Sequence, residues 1–492
     1  MSTSPAHAHA QADRVAARPA DPHRPRFHLT APRHWINDPN GVCFHAGRYH
    51  LHYQHNPGAA HWGDMHWGHA SSADLVSWRD EPIALAPTPG FDDEGGCFSG
   101  SFAVVGGVPT LYYTGFKPSG QVQCVATADP ADAALHHWTK QPERTLVEPP
   151  EGVSAQDFRD PYVFAHGGGW VMLVGASARS ERGQVLLYRS DDGLSWTYRG
   201  PLYTAPSLAL GVMWECPNLF PVTAADGVTR WVLTVSIWPL LGAHAFVGHF
   251  DGERFTPAWD GVLDPDAGAF AHLALRAPDG RALQWAWMNE ARDQALIDAG
   301  GWAGAMTVPR EIGVDAQGRL TQRPAAEVER LREAALAITQ TGAARGTTHT
   351  FSGRHLDLEA RFTRRDRHKV GLTLLGAADG SEFTRVAFWP EARRLVIERE
   401  RSAATPGTRR QNVFSTLVIA DDEPLRLRVL VDASVIEVYA QDRLCLSTRV
   451  YPAEGSVLGS AYIEGDADVA LRGWAMGSVY AGPRNGAAAA LR

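Results

Sequence analysis

The chain has 492 residues, 44% of them hydrophobic and 20% charged, with 46 Lys and Arg against 54 Asp and Glu for a formal net charge of −8. It is too long for one ordinary domain, and its basic residues are scattered instead of gathered into a run, which argues against a nucleic-acid partner. Five cysteines, odd in number and without a C-x-x-C pair, fit neither a disulfide framework nor a zinc ribbon and point to a reducing compartment.

Taken in chain order, residues 1–25 are rich in Ala, Pro and His and hold no apolar run that could form a signal-peptide core; nothing later reaches 18 apolar residues. The expectation is a floppy tail on a soluble cytoplasmic protein with no membrane partner. In "HWINDPNG", residues 34–41, the Asp38-Pro39 and Asn40-Gly41 pairs predict a tight turn. "RYHLHYQH" then alternates as a strand, with Gln54 on the face of His50 and His52. Seven histidines crowd residues 45–69, and imidazoles at i and i+2 can share a metal. No partner set with a recognised ligand spacing follows, so the expectation is strand or pocket-rim histidines, with no metal and no cofactor.

A repeat runs through the next stretch. "SSADLVSW" ends at Trp78, "TADPADAALHHW" at Trp138, "RSDDGLSW" at Trp196 and "HFDGERF" at Phe255, at intervals of 60, 58 and 59 residues; a looser "VDAQGRL" ends 65 residues later at Leu320. Between them lie short alternating or apolar runs such as "SFAVVGGVPTLYYTGF" and "RWVLTVSIW". Such spacing without helical periodicity predicts four-stranded sheets repeated around an axis, a five-bladed β-propeller over 26–322. Sixteen Trp, twelve Tyr and eighteen Phe supply flat platforms suited to sugars. Residues 323–340 are the one clearly helix-compatible stretch and predict a connector. Beyond them, period-two runs over 341–482 predict a β-sandwich, which offers an interface for a homo-oligomer, and 483–492 a flexible end.

Three acids stand at strand–turn junctions in different repeats. Asp38 alone reads as a turn residue, and Asp160 in "FRDP" as half of a surface ion pair, although Arg159 beside it can hold it ionised. Glu215 in "MWECP" has apolar neighbours and no adjacent cation, the setting in which a carboxyl keeps its proton. Brought to one end of a propeller axis, an ionised and a protonated carboxyl are the equipment of a glycosidase. Cys216 reads as a small apolar neighbour of Glu215.

These motifs, with "YQHNP", "HWGDMHWGHASSADLVSW", "CFSGS", "GWAGAMTVPREI" and "VDASVIEVYAQDRLCLSTRVYP" in this order, resemble glycoside hydrolase family 32, the invertase, levanase and inulinase family, over residues 26–480. The resemblance implies retaining hydrolysis of a terminal β-fructofuranoside, sucrose or short fructo-oligosaccharides first, with sucrose 6-phosphate, levan or inulin as substrate and fructosyl transfer as the alternatives within the family; it makes Asp38 the nucleophile, Glu215 the acid/base and Asp160 the residue steadying the transition state. It further implies a fructose pocket lined by Asn37, Gln54, Trp62, Phe98, Ser99 and Arg159, with Trp35 and Trp302 as further candidates. Asn218 departs from the family, where an acid commonly follows E-C-P, and is expected to alter hydrogen bonding around Glu215.

Overall fold

The computed structural model describes residues 21–480 apart from 118, 143–146, 180, 266–267 and 342–347. The predicted tail over 1–20 and the predicted end over 483–492 lie outside the described residues. Residues 21–25, expected to belong to that tail, are built into the fold instead: Asp21 accepts from the Trp302 indole and from Arg292.

The architecture is all-β, as the alternating runs predict. From residue 34 to 324 the chain forms five sheets in succession, each opening with the strand that lies innermost: His34–His45, Cys97–Val105, Val153–His166, Met213–Thr223 and Phe270–Arg276. These five strands touch in a closed ring, the last beside the first. The repeated landmarks are the turns before each sheet's last strand, because Trp78, Phe255 and Leu320 begin such strands and Trp138 and Trp196 immediately precede them. An aspartate organises every one of these turns. Asp74, Asp132, Asp192, Asp251 and Asp315 each accept from main-chain amides two to five residues ahead.

A second repeat is invisible in the sequence. Each inner strand spends three residues where its neighbour spends two: Ile36 to Pro39 against His55 to Tyr53, Cys97 to Gly100 against Gly115 to Tyr113, Arg159 to Tyr162 against Gly175 to Leu173, Glu215 to Asn218 against Ser236 to Thr234, and Phe270 to Leu273 against Trp287 to Trp285. Every inner strand thus carries a one-residue β-bulge at a corresponding place, which turns side chains out of the pleat. This corrects the expected turn at Asp38. His34–His45 is one continuous strand with two bulges, and Asp38-Pro39 lies in the first.

The C-terminal sheets hold six and seven strands, and Leu358, Phe362, Leu372, Phe388, Val429 and Val438 from both form one buried cluster. The predicted helical connector is corrected as well. Residues 326–331 make a short 3-10 helix, and Arg332–Ala335 already pairs with Ala467–Met476. The one α-helix among the described residues, Gln294–Gly300, is capped by the Asp293 side chain and stopped by Gly301 at φ 67°. No helix among the described residues is long and apolar enough to cross a membrane.

A buried polar network docks the C-terminal sheets on the rest. Asp432 accepts from the main-chain amides of Arg26, Phe27 and His28 and from the rings of His28 and His355. The other His28 nitrogen meets Glu437, which also accepts from Arg310. Burial acts to lower the His28 pKa, but its hydrogen bonds to Asp432 and Glu437 outweigh it and raise the value. For Glu437 burial pushes upward, and Arg310 and His28 overcome it to hold the carboxyl down at about 2. The His28 contribution is therefore complete below its unfolded value near 6.5 and lost as pH rises through the folded one; that of Glu437 is lost as pH falls from about 4.5 toward 2. Replacing Asp432 by Asn leaves the buried His28 ring and three main-chain donors sharing an amide with a single acceptor oxygen, and should cost about 3–5 kcal/mol, read as a lower denaturant midpoint at pH 7.

Candidate active site

The bulges aim at one place. Pro39, Ser99, Asp160, Cys216 and Leu273, one from each inner strand, line a single small void on the ring axis. Above it the three acids converge. Ser99 Oγ donates to Asp38 Oδ2 at 2.6 Å and Asn37 Nδ2 to Oδ1 at 2.9 Å, so both oxygens of this carboxyl are engaged. The Trp35 indole donates to Asn37 Oδ1 at 2.7 Å and thereby fixes which end of that amide faces Asp38. Burial raises the Asp38 pKa, the Ser99 hydroxyl opposes it, and the charge of Glu215 adds to the rise.

Arg159 corrects the expected surroundings of Glu215. Its Nε and Nη2 both donate to Glu215 Oε1, at 2.9 and 2.5 Å, so the cation expected to serve Asp160 sits on the glutamate. Oε2 accepts no hydrogen bond among the described residues. Gln121, which no motif marks, receives Arg159 Nη1 at 3.1 Å and the Phe158 amide at 3.0 Å and so holds the guanidinium in place.

Asp160 is buried, and Oδ2 accepts from the Cys216 amide at 2.9 Å. Burial raises its pKa, with Arg159 opposing and Glu215 and Asp38 adding to the rise; the expectation that Arg159 keeps it low is reversed, because desolvation and two neighbouring carboxyls outweigh one shared cation. Cys216 is likewise misread from the sequence. Its Sγ lies 3.7 Å from Asp38 Oδ2 and 3.5 Å from Asp160 Oδ2, facing those two acids. Asp160 and Cys216 have φ of 68° and 45°, the left-handed region that costs a non-glycine residue about 1–2 kcal/mol, here spent where the carboxyls are aimed.

Of the remaining candidates, Trp62 is 52% exposed with its ring 5.8 Å from that of Phe98, which is half-buried. Gln54 is buried and donates to the Cys97 carbonyl at 2.7 Å, tying the first inner strand's neighbour to the second inner strand. Trp302 does not form a pocket wall. It is 1% exposed, bonded to Asp21 and packed against the Arg292 and Arg449 guanidinium groups at 4.7 and 5.3 Å. Its contribution is through the backbone, since Trp302–Ala303 runs parallel to His34 and Trp35. Asn218 makes no bond to Glu215; its amide donates to the Cys216 and His272 carbonyls and accepts from Ala274, a bridge between inner strands that an aspartate could not donate. His50, His52 and His69 form a buried stack; burial holds His50 near 4, His52 near 3 and His69 well below the ordinary value, so all three are neutral. No group of three or more metal-ligating side chains is assembled among the described residues.

Comparison with known proteins gives this geometry a family. Residues 28–324 match the glycosyl hydrolases family 32 N-terminal domain, and residues 327–472 match the glycosyl hydrolases family 32 C-terminal region. The chain belongs to glycoside hydrolase family 32. Among family 32 relatives it is 32% identical to sucrose-6-phosphate hydrolase of Escherichia coli, over 87% of this chain and 89% of that one. Raffinose invertase of Escherichia coli is also 32% identical, over 92% and 95%. In three dimensions the family 32 fold superposes on fructan 1-exohydrolase IIa from Cichorium intybus with a TM-score of 0.82 at 26% identity, covering 93% of this chain and 98% of that one. The resemblance drawn from the motifs is borne out, and the chain is a glycosidase.

Proposed function

We propose that this chain is a retaining β-fructofuranosidase that releases terminal β-D-fructofuranosyl residues, with sucrose or short fructo-oligosaccharides as substrates. The observation that carries the reading is the pair of solvent-reachable carboxyls on different inner strands: Asp38 fixed through both oxygens by Ser99 and Asn37, and Glu215 held by Arg159 through one oxygen with the other open. Glu215 Oε2 delivers a proton to the departing oxygen while Asp38 attacks the anomeric carbon, giving a fructosyl ester. Water then attacks that ester, its proton passing to Glu215, and fructose leaves with its configuration retained. Asp160 accepts hydrogen bonds from ring hydroxyls that strengthen as oxocarbenium character develops. Asn37, Ser99, Arg159, Phe98, Trp62 and Trp35 surround the fructosyl group, and Gln54 and Trp302 support the strands that carry them.

In this reading the five ringed sheets are the blades of a five-bladed β-propeller over about 26–322, joined by 323–340 to a β-sandwich over about 341–482. Exposed Trp62, set against Phe98, gives the site an apolar surface, which favours an uncharged leaving group over a phosphorylated one. Five buried free cysteines agree with a cytoplasmic site of action. Initial-product analysis on sucrose, sucrose 6-phosphate, 1-kestose, inulin and levan tests the reading. Sucrose and 1-kestose should be the fastest and should release β-fructofuranose first. Initial release of the α-anomer, or sucrose 6-phosphate preferred over sucrose, would overturn it in mechanism or in substrate respectively.

Ser99→Ala removes a donor that lowers the Asp38 pKa. The acid limb of kcat/KM should therefore move to higher pH, with kcat down about tenfold; an unmoved limb would show that Ser99 does not tune Asp38.

A further inference from the structure

Gln121 and Gln123 lie two residues apart on the strand Gly120–Thr127 of the second ringed sheet, so their side chains share a face. Both are buried, and both reach across to the innermost strand of the third sheet. Gln121 Oε1 accepts from the Phe158 amide at 3.0 Å, and Gln123 Nε2 donates to the Phe158 carbonyl at 2.9 Å. Thr114, opposite Gln123 on the adjoining strand Val108–Lys117, donates to Gln123 Oε1 at 2.8 Å and accepts from the Asp160 amide at 2.8 Å. The main chain on either side of Arg159 is thus clamped by side chains of a neighbouring sheet.

Three carboxyls compete for the Arg159 guanidinium. Glu215 Oε1 takes Nε and Nη2, Asp157 pairs with Nη1 at 3.7 Å, and the charge of Asp160 acts on it from the next position. The shorter bonds of Nη1 go to Gln121 Oε1 and to the Gln156 carbonyl, both at 3.1 Å. The same Gln121 oxygen therefore fixes Arg159 at two points, the amide just before it and the far end of its side chain. A planar fork anchored at one nitrogen presents its other edge in one direction, and that edge meets Glu215.

We propose that Gln121 is a positioning residue for the proton transfer: by occupying Arg159 Nη1 it turns the Nε–Nη2 edge onto Glu215 Oε1 and so aims Oε2 at the departing oxygen. This rests on Glu215 being the acid/base. An amide suits the task because it accepts without adding a fourth carboxyl to the competition. Without it Nη1 closes on Asp157, the fork turns, and Glu215 loses the anchor that orients its open oxygen. The loss is one of aim, so it falls on the step that delivers a proton.

Gln121→Ala, and Gln121→Asn with a side chain one methylene short, should each lower kcat on sucrose about 10²-fold and leave KM within about threefold. First-turnover release of p-nitrophenol from p-nitrophenyl β-D-fructofuranoside should stay within about threefold of wild type, since that leaving group departs without a proton. Gln121→Glu keeps the acceptor oxygen and should recover most of the sucrose rate. Assays run well below each variant's Tm keep unfolding out of the comparison, and Glu215→Gln is measured alongside. If Glu215→Gln depends on the leaving group while Gln121→Ala slows both substrates alike, or neither, Gln121 has no positioning role. If neither variant shows the dependence, the assignment of Glu215 as proton donor falls and this inference with it.

Discussion

Asp38→Asn should lower kcat on sucrose by about 10⁵-fold and leave the protein at least as heat-stable as before. The kinetic half follows from chemistry: an amide cannot form the fructosyl ester, and what remains is the proton donor and the binding pocket. The stability half follows from the surroundings. Burial and the charge of Glu215 raise the Asp38 pKa. A carboxyl whose folded pKa is raised binds its proton more tightly when folded, so its ionised form costs stability at every pH above the unfolded value. A neutral side chain of the same shape is spared that cost and can still accept from Ser99. Steady-state kinetics together with a melting curve read both effects. Near-wild-type turnover would remove Asp38 from the chemistry, and a much lower Tm would show that it has a structural role instead.

Glu215→Gln should slow sucrose hydrolysis by about 10³–10⁴-fold, and the loss should depend on the leaving group. A fructoside whose aglycone departs without protonation should form the ester at a rate near wild type. Azide, which needs no general base, should then restore turnover by trapping the ester as β-fructosyl azide. The substitution also leaves no proton to be lost at this position, so the alkaline limb of kcat/KM should flatten. The same variant acts on Arg159, which loses its carboxylate partner; azide rescue separates this effect, because a displaced Arg159 would not be repaired by an external nucleophile. No rescue and no dependence on the leaving group would exclude Glu215 as the proton donor.

Much of this was legible in the residues. The phase of the Asp-led turns marks the last strand of each sheet because that signal is local: an aspartate side chain capping amides a few positions ahead needs nothing from the rest of the chain. Which three acids the fold gathers was legible through their motifs. Their electrostatics were not. Arg159 is adjacent to Asp160 in sequence yet bonds Glu215, 56 positions away, and Cys216 is adjacent to Glu215 yet faces Asp38 and Asp160. On a strand, neighbouring side chains point to opposite faces and a bulge re-aims them again, so adjacency in sequence is a poor guide to contact. Gln121 carried no signal at all, as it lies in an ordinary strand of a neighbouring sheet.

The two late motifs show the same division. "GWAGAMTVPREI" and "VDASVIEVYAQDRLCLSTRVYP" identify the family, and the fold brings them together away from the axis, Arg310 on Glu437 and Trp302 beneath Arg449. Asp38, too, reads from the sequence as a turn residue, since Asp-Pro and Asn-Gly are turn formers in isolation. Pairing with Arg48–Asn56 and with Trp302–Ala303 keeps that stretch extended and converts the tendency into bulges. By itself the sequence determined the all-β class, the family and which acids to suspect, because these rest on local periodicity and residue identity. Only the tertiary structure decided what each acid faces, which tryptophan is exposed and which is core, and how five bulged strands share one axis, because these depend on long-range pairing and on burial.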